Sequence, residues 1–229
     1  MIYSLVIPCF NESDGIPKLL DRCSQIKEAN LEIIFVNNGS TDNSKEIFEE
    51  LLPNYKNFSL VNLDKNIGYG DGILAGLNSA KGEILGWTHA DLQTDPLDFV
   101  RAIELFKNKN VSFVKGKRFG RPFFDNVFTF GMSLFETFFL KRILYDINAQ
   151  PTVFTRNFFE SWENPPNDFS LDLYSYYFAK VKKIYIKRFP VYFGVREFGT
   201  SSWNINFPSK IKFIKRTIKY SFKLKKEIL

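Results

Sequence analysis

A chain of 229 residues is long enough for one well-buried domain and short for two. Hydrophobic residues at 45% and charged residues at 24% exclude a disordered polymer, and aromatics at 17%, with 26 phenylalanines, hint at an amphiphilic partner or surface. The net charge of +6 gathers after Lys180, where it suits phosphates or a solvated helix face; without a recognised reading motif it does not indicate nucleic acid.

Short β-branched runs recur at Tyr3–Ile7, Leu31–Val36, Phe58–Leu63, Glu83–Thr88 and Val111–Lys115, separated by segments of helical period. The first helix begins at Ser13-Asp14 and places Ile16, Leu19, Leu20, Cys23 and Ile26 on one face; the second begins at Thr41-Asp42 and ends at Pro53. The third carries Ile73, Leu74 and Leu77 and is expected to stop near Gly82 in a left-handed cap. Such βαβ alternation predicts a Rossmann-like, mainly parallel sheet flanked by helices, with ligands at the carboxyl ends of its strands. The loops there are Pro8–Glu12, Asn37–Ser40, Asn66–Gly70 and His89–Asp95.

After about Gly120 the pattern changes to aromatic helical segments, Asp125–Tyr145 and Asp168–Lys182, then an extended piece at Ile184–Gly194 and a basic tail. The expected organisation is one domain over 1–229, with a ligand-binding half at 1–120, a second half at 121–206 and a basic amphipathic tail at 207–229. Cys9 and Cys23 are too few for a disulfide framework, and Tyr3–Ile7 follows no basic leader, so a cytoplasmic location is expected. No run reaches the roughly 18 apolar residues of a spanning helix.

His89, Asp91 and Gln93 alternate directly after a strand, so in extended conformation they project to one side as three candidate ligands for a hard divalent ion such as Mg²⁺ or Mn²⁺. A helix cap for Asp91 and a satisfied turn histidine for His89 are the competing readings. His89 is the sole histidine, which excludes a multi-histidine zinc site and any scheme needing a second imidazole. Gly68-Tyr69-Gly70-Asp71-Gly72 lacks the lysine of a phosphate loop, and no nucleophile elbow follows a strand.

The series Ile7-Pro8-Cys9-Phe10-Asn11-Glu12, Ile34 to Asp42, Asn66-Ile67-Gly68, Ala90-Asp91-Leu92-Gln93 and Arg196 to Ser201 resembles family 2 glycosyltransferases of the dolichyl-phosphate mannosyltransferase-like branch, over Ile2 to about Trp203. The resemblance implies a GT-A fold and an inverting, metal-dependent transfer from a GDP- or UDP-sugar. By that resemblance Pro8, Phe10, Glu12, Val36 and Asn38 line the base and ribose, His89, Ala90 and Asp91 meet the diphosphate, and Asp91, Gln93 and His89 hold the metal. Arg118 and Arg196 fall where cations face phosphates; a surface salt bridge is the alternative for each. The sequence departs from the family pattern at His89 for a usual aspartate, at Asn37-Asn38 for Asp-Asp, and at Ser202 for a lysine.

The implied acceptor is a polyprenyl phosphate, whose ionised oxygen needs no strong base; the alternatives are a glycan hydroxyl, with Asp95 as base, or a nucleotide-sugar-binding module without turnover. A lipid acceptor also suits an interfacial stripe at Phe128, Met132, Phe135, Phe139 and Ile143, for which core packing is the competing reading. In the tail, Ile211, Ile214, Ile218 and Phe222 oppose Lys212, Lys215, Arg216 and Lys219, which predicts peripheral attachment to an anionic membrane or a membrane partner protein.

Overall fold

The computed structural model describes residues 1–108, 110–199 and 207–228. In chain order the elements are β1 (Tyr3–Cys9), α1 (Ile16–Ser24), β2 (Leu31–Asn38), α2 (Ser44–Leu51), β3 (Phe58–Leu63), α3 (Tyr69–Ser79), β4 (Ile84–Trp87) and α4 (Asp98–Glu104). They continue with β5 (Phe113–Phe119), α5 (Phe123–Leu140), β6 (Thr152–Thr155), α6 (Arg156–Glu160), α7 (Leu171–Val181), β7 (Ile186–Tyr192) and α8 (Phe207–Ile228).

The strands form one seven-stranded sheet in the order β3-β2-β1-β4-β6-β5-β7. All neighbours pair in parallel except β6, which runs antiparallel to both β4 and β5. The period of two in β1 and β2 divides the core. Leu5, Ile7, Ile33 and Phe35 face Ile16, Leu19, Leu20 and Phe48 on one side, while Val6, Ile34 and Val36 face Ile73 and Leu77 on the other. Helix α3 lies so close to β1 that a side chain at Gly76 would bring a Cβ within 2.3 Å of Val6.

Two local expectations are corrected. Helix α3 ends at Ser79, with Ala80 extended, and Gly82 is not left-handed; Gly82 donates its N–H to Ser4 Oγ at 2.7 Å, and a Cβ there would strike that hydroxyl. The start signal at Ser13-Asp14 does not cap α1; Asp42 instead accepts N–H bonds from Ser13 and Ser44, tying the loop after β1 to the start of α2. Burial alone would raise the Asp42 carboxyl, but these donors hold it below its ordinary value.

Helix α5 has a half-buried face comprising Phe128, Met132, Phe135 and Phe139, so the predicted interfacial stripe is turned inward; Ile143 lies past the helix and is exposed. Helix α8 packs against this face. The Phe139 and Phe222 rings lie 4.6 Å apart, Leu224 is buried, and Ser221 Oγ sits 2.7 and 2.8 Å from the oxygens of buried Glu136. The tail is therefore docked: Ile214 and Ile218 are half-buried and Arg216 pairs with Asp168, while Lys215 and Lys219 stay exposed. The side chains at Lys210 and Lys212, and residues 200–206 with Ser201, Ser202 and Trp203, lie outside the described residues. Among the described residues, no helix is long and apolar enough to cross a membrane.

Candidate active site

The carboxyl ends of β1, β2 and β4 bring three loops to one edge of the sheet. The loop after β1 is stitched to the loop after β2: Thr41 N–H donates to Asn11 Oδ1 at 2.8 Å, Asn11 N–H to Ser40 Oγ at 3.1 Å and Glu12 N–H to Ser44 Oγ at 3.0 Å. Pro8 is half-buried beneath this loop and Phe10 is exposed on it. Val36 is fully buried in the core under α3, so its side chain cannot face a ligand.

Asn37 is held by structural bonds, donating to Asn62 Oδ1 at 3.0 Å and accepting from Ser40 N–H at 3.2 Å. Asn38 donates its Nδ2 to the Gly68 carbonyl at 3.0 Å, while its buried Oδ1 has no hydrogen-bond partner. An orphaned acceptor of this kind costs free energy unless a donor is supplied. Gly68 has φ +154°, and a Cβ there would fall 2.1 Å from Asn167 O, so only glycine lets the start of α3 pass under this loop.

Beyond β4 the chain does not stay extended, and this corrects the alternating ligand set. Leu92 adopts φ +56°, Asp91 Oδ1 turns back to accept the Gln93 N–H at 3.1 Å, and the Gln93 amide donates to Gly194 O at 3.1 Å. Gln93 therefore anchors the segment leading to Arg196, with Gly194 N–H returned to Gln93 O at 2.7 Å. Ala90 is buried beneath the turn. His89 is half-buried, its ring 5.8 Å from that of Tyr69. Burial lowers its pKa against the pull of Asp91 and Asp172, which leaves a neutral imidazole at pH 7.

Arg196 closes the site. Its Nη2 lies 2.5 Å from Glu12 Oε1, its Nη1 3.3 Å from Asp91 Oδ2, and its Nε donates to Phe198 O at 2.6 Å. One guanidinium thus spans two loops separated by 184 and 105 residues in sequence. Burial raises the Glu12 carboxyl although Arg196 opposes it.

Asp95 belongs elsewhere. Its carboxylate receives Nε and Nη2 of Arg22 at 3.1 and 2.5 Å and the Leu97 N–H at 3.0 Å, so it joins α1 to the start of α4 and is not positioned as a base.

Arg118 makes its bonds outside the Glu12–Arg196–Asp91 cluster, although its charge is felt at His89. Its backbone N–H, Nε and Nη2 all bond Asp146, at 2.8, 2.8 and 2.5 Å. Burial alone would raise the Asp146 carboxyl, but Arg118 holds it below the ordinary range. Arg118 lines a cavity with Arg121, Phe128, Met132, Ser170 and Leu173. The Arg118 and Arg121 guanidiniums each lie 5.2 Å from the Phe193 ring. Arg121 Nε and Ser170 Oγ are buried without a hydrogen-bond partner, so the cavity carries polar atoms that a ligand could satisfy. Sequence reasoning missed Arg121 and Asp146; the repeat of arginine in Gly116-Lys117-Arg118-Phe119-Gly120-Arg121 was the available signal.

A parallel sheet interrupted by one antiparallel strand, with an acidic turn after β4 facing an arginine, defines the GT-A class of glycosyltransferase fold. A sequence profile described as glycosyl transferase family 2 matches residues 4–181, and the chain belongs to that family. Among curated relatives, the undecaprenyl-phosphate 4-deoxy-4-formamido-L-arabinose transferase of Proteus mirabilis is 37% identical over 105 residues, covering 44% of this chain and 32% of the relative. The alignment thus spans about a third of that relative's length. The glucosyl-3-phosphoglycerate synthase of Mycobacterium tuberculosis, solved with Mn²⁺, UDP and glucosyl-3-phosphoglycerate, superposes with a TM-score of 0.72 at 15% identity, covering 98% of this chain and 79% of that one. A mannosyltransferase from Pyrobaculum calidifontis, in complex with GDP-Man and Mn²⁺, gives 0.69 at 18% identity over 96% and 64% of the two chains.

Proposed function

We propose that this glycosyltransferase moves a sugar from a GDP- or UDP-sugar to a polyprenyl phosphate, with a divalent metal at Asp91 and inversion at the anomeric carbon. The half at 1–120 would bind the donor, with Phe10 against the base, Glu12 at the ribose and Asn38 Oδ1 accepting a donor hydrogen bond that the fold leaves unmade. Among the described residues no three carboxylate, histidine or cysteine side chains group around one point. The donors present still fit Mg²⁺ or Mn²⁺, which is held through few protein carboxylates with phosphates completing the shell. Asp91 would be the protein ligand, with neutral His89 a second candidate. Bound there, the metal would neutralise charge on the departing diphosphate.

The single observation that supports the acceptor is the cavity at Arg118 and Arg121, which joins two guanidiniums and unsatisfied polar atoms to Phe128, Met132 and Leu173. Such a lining suits a phosphate carrying an apolar chain. The phosphate oxygen forms a bond to the anomeric carbon as the bond to the nucleoside diphosphate breaks; an anion needs no proton removed, so the structural engagement of Asp95 is no obstacle. Positioning and charge stabilisation carry the step.

The test is transfer of radiolabelled sugar from a panel of UDP- and GDP-sugars, with Mn²⁺, to a detergent-dispersed polyprenyl phosphate or to free glycans. Label in the lipid phase, lost in Arg121→Ala, supports the proposal. Label only on glycan hydroxyls contradicts it.

A further inference from the structure

The outer face of α5 carries Phe123, Val127, Phe130, Leu134 and Phe138, exposed by 75, 52, 59, 46 and 75%. Spacings of four, three, four and four residues put them on one side of the helix, in a stripe about 22 Å long at 1.5 Å per residue. The inward residues Phe128 and Met132 line the arginine cavity, and Phe139 packs on α8, so α5 is apolar on both sides. Isolated exposed apolar residues need no account, but a continuous stripe of this size does.

The charges around the stripe decide what can cover it. The two acids of α5 are withdrawn: Asp125 is half-buried, and Glu136 is buried beside Ser221 with its carboxyl pushed up to about 7 by burial. Past the end of the helix, Lys141 and Arg142 are exposed beside Ile143. On α8, exposed Phe222 stands among exposed Lys219 and Lys226, and Lys225 lies 4.5 Å from the Phe139 ring. No exposed carboxylate occurs on the described side chains of either helix. Phenylalanines rimmed by cations and free of anions match the boundary between acyl chains and acidic headgroups.

We infer that the outer stripe of α5, with the exposed cations beside it, docks the protein onto the surface of an anionic lipid bilayer. The docking element is then α5 itself, while the basic helix α8, already packed on the body, contributes its lysines at the rim. Phe128 and Thr129 of α5 line the arginine cavity from the opposite side of the helix, so the element that carries the stripe is also a wall of that cavity and would couple a docked membrane to it. This last link rests on the proposed lipid-phosphate acceptor; the docking itself does not.

Flotation of the full chain with vesicles free of polyprenyl phosphate separates the two. Wild-type protein is expected to float with phosphatidylcholine vesicles containing phosphatidylglycerol at low salt, and less with phosphatidylcholine alone. Phe130→Ser/Phe138→Ser, both exposed, should weaken partition at least about tenfold at unchanged melting temperature, since two rings leave the acyl boundary. Lys141→Glu/Arg142→Glu should abolish the preference for anionic lipid. Wild-type protein that stays at the bottom of the gradient, or a double phenylalanine variant that floats as well as wild type, overturns the inference. So does a wild-type dimer in light scattering that the same variant turns into a monomer, because the stripe then meets a second copy. Flotation without any transfer to polyprenyl phosphate would remove the acceptor proposal and leave this one standing.

Discussion

The two arginine sites solve the same problem of holding anions in different ways. Arg196 bridges Glu12 and Asp91 from a loop, with two carboxylates sharing one guanidinium. Arg118 is clamped by three bonds to one buried carboxylate, Asp146, at the wall of a cavity. The first arrangement can exchange partners, because an arriving diphosphate competes with the two carboxylates for Arg196 and an arriving cation competes with Arg196 for Asp91. The second is fixed, and presents its remaining charge without needing to move. A cation shared between two partners suits a donor that binds and leaves as a charged product, and one committed to a single carboxylate suits a site that only positions an acceptor.

The contrast is broken most severely at Asp91. Asp91→Ala should lower turnover by at least about 10²–10³-fold, as for loss of a group that stabilises developing charge, with little change in melting temperature, measured by single-turnover transfer and by calorimetry. At the second site Arg118→Ala leaves the buried Asp146 carboxylate only the backbone N–H of residue 118 and the Arg188 guanidinium at 4.0 Å; a cost of about 3 kcal/mol is expected, visible as a fall in denaturation midpoint as well as lost activity. Arg121→Ala sharpens the distinction. Among the described residues its guanidinium hydrogen-bonds Thr129 Oγ1 alone, so the acceptor KM should rise about tenfold while the donor KM and stability hold.

The smallest effect lies at the joint between α5 and α8. Glu136 has its carboxyl raised to about 7 from an ordinary 4.5, with burial the cause and the Ser221 hydrogen bond opposing it. Between those values the folded state holds a proton that the unfolded chain has released, so stability is fully present below about 4.5 and is lost as pH rises through about 7. Glu136→Gln should flatten that decline, and the difference in melting temperature between variant and wild type should grow by about 2–5 °C from pH 5 to pH 8.

Much of the first half was legible because its signals are local. Five strand runs and three amphipathic helices follow from residues a few positions apart, and the polar loops at their carboxyl ends fall where open α/β sheets bind ligands. Strand β6 escaped notice because Thr152–Thr155 is only four residues long, and it enters the sheet antiparallel between β4 and β5 by pairing no periodicity reveals. The site was legible as residue types but not as geometry. The left-handed Leu92 turns the Gln93 side chain to Gly194 while its N–H stays on Asp91, and Val36 faces the core because β2 is covered on both sides. The Arg118–Asp146 clamp joins positions 28 apart with no motif between them. In α5, phenylalanines occupy both faces, so hydrophobic period alone could not tell the inward stripe from the outward one.

The proposed transfer requires above all a nucleotide sugar bound at Asp91 with a divalent ion. Thermal shift of the full chain with UDP- and GDP-sugars, with Mn²⁺ or with chelator, tests this directly, since a ligand at about a hundred times its Kd stabilises by about 2.7 kcal/mol. A rise in Tm with one nucleotide class and Mn²⁺, absent with chelator and in Asp91→Ala, is the predicted result. An equal rise in Asp91→Ala, or none with any nucleotide sugar, would contradict the account.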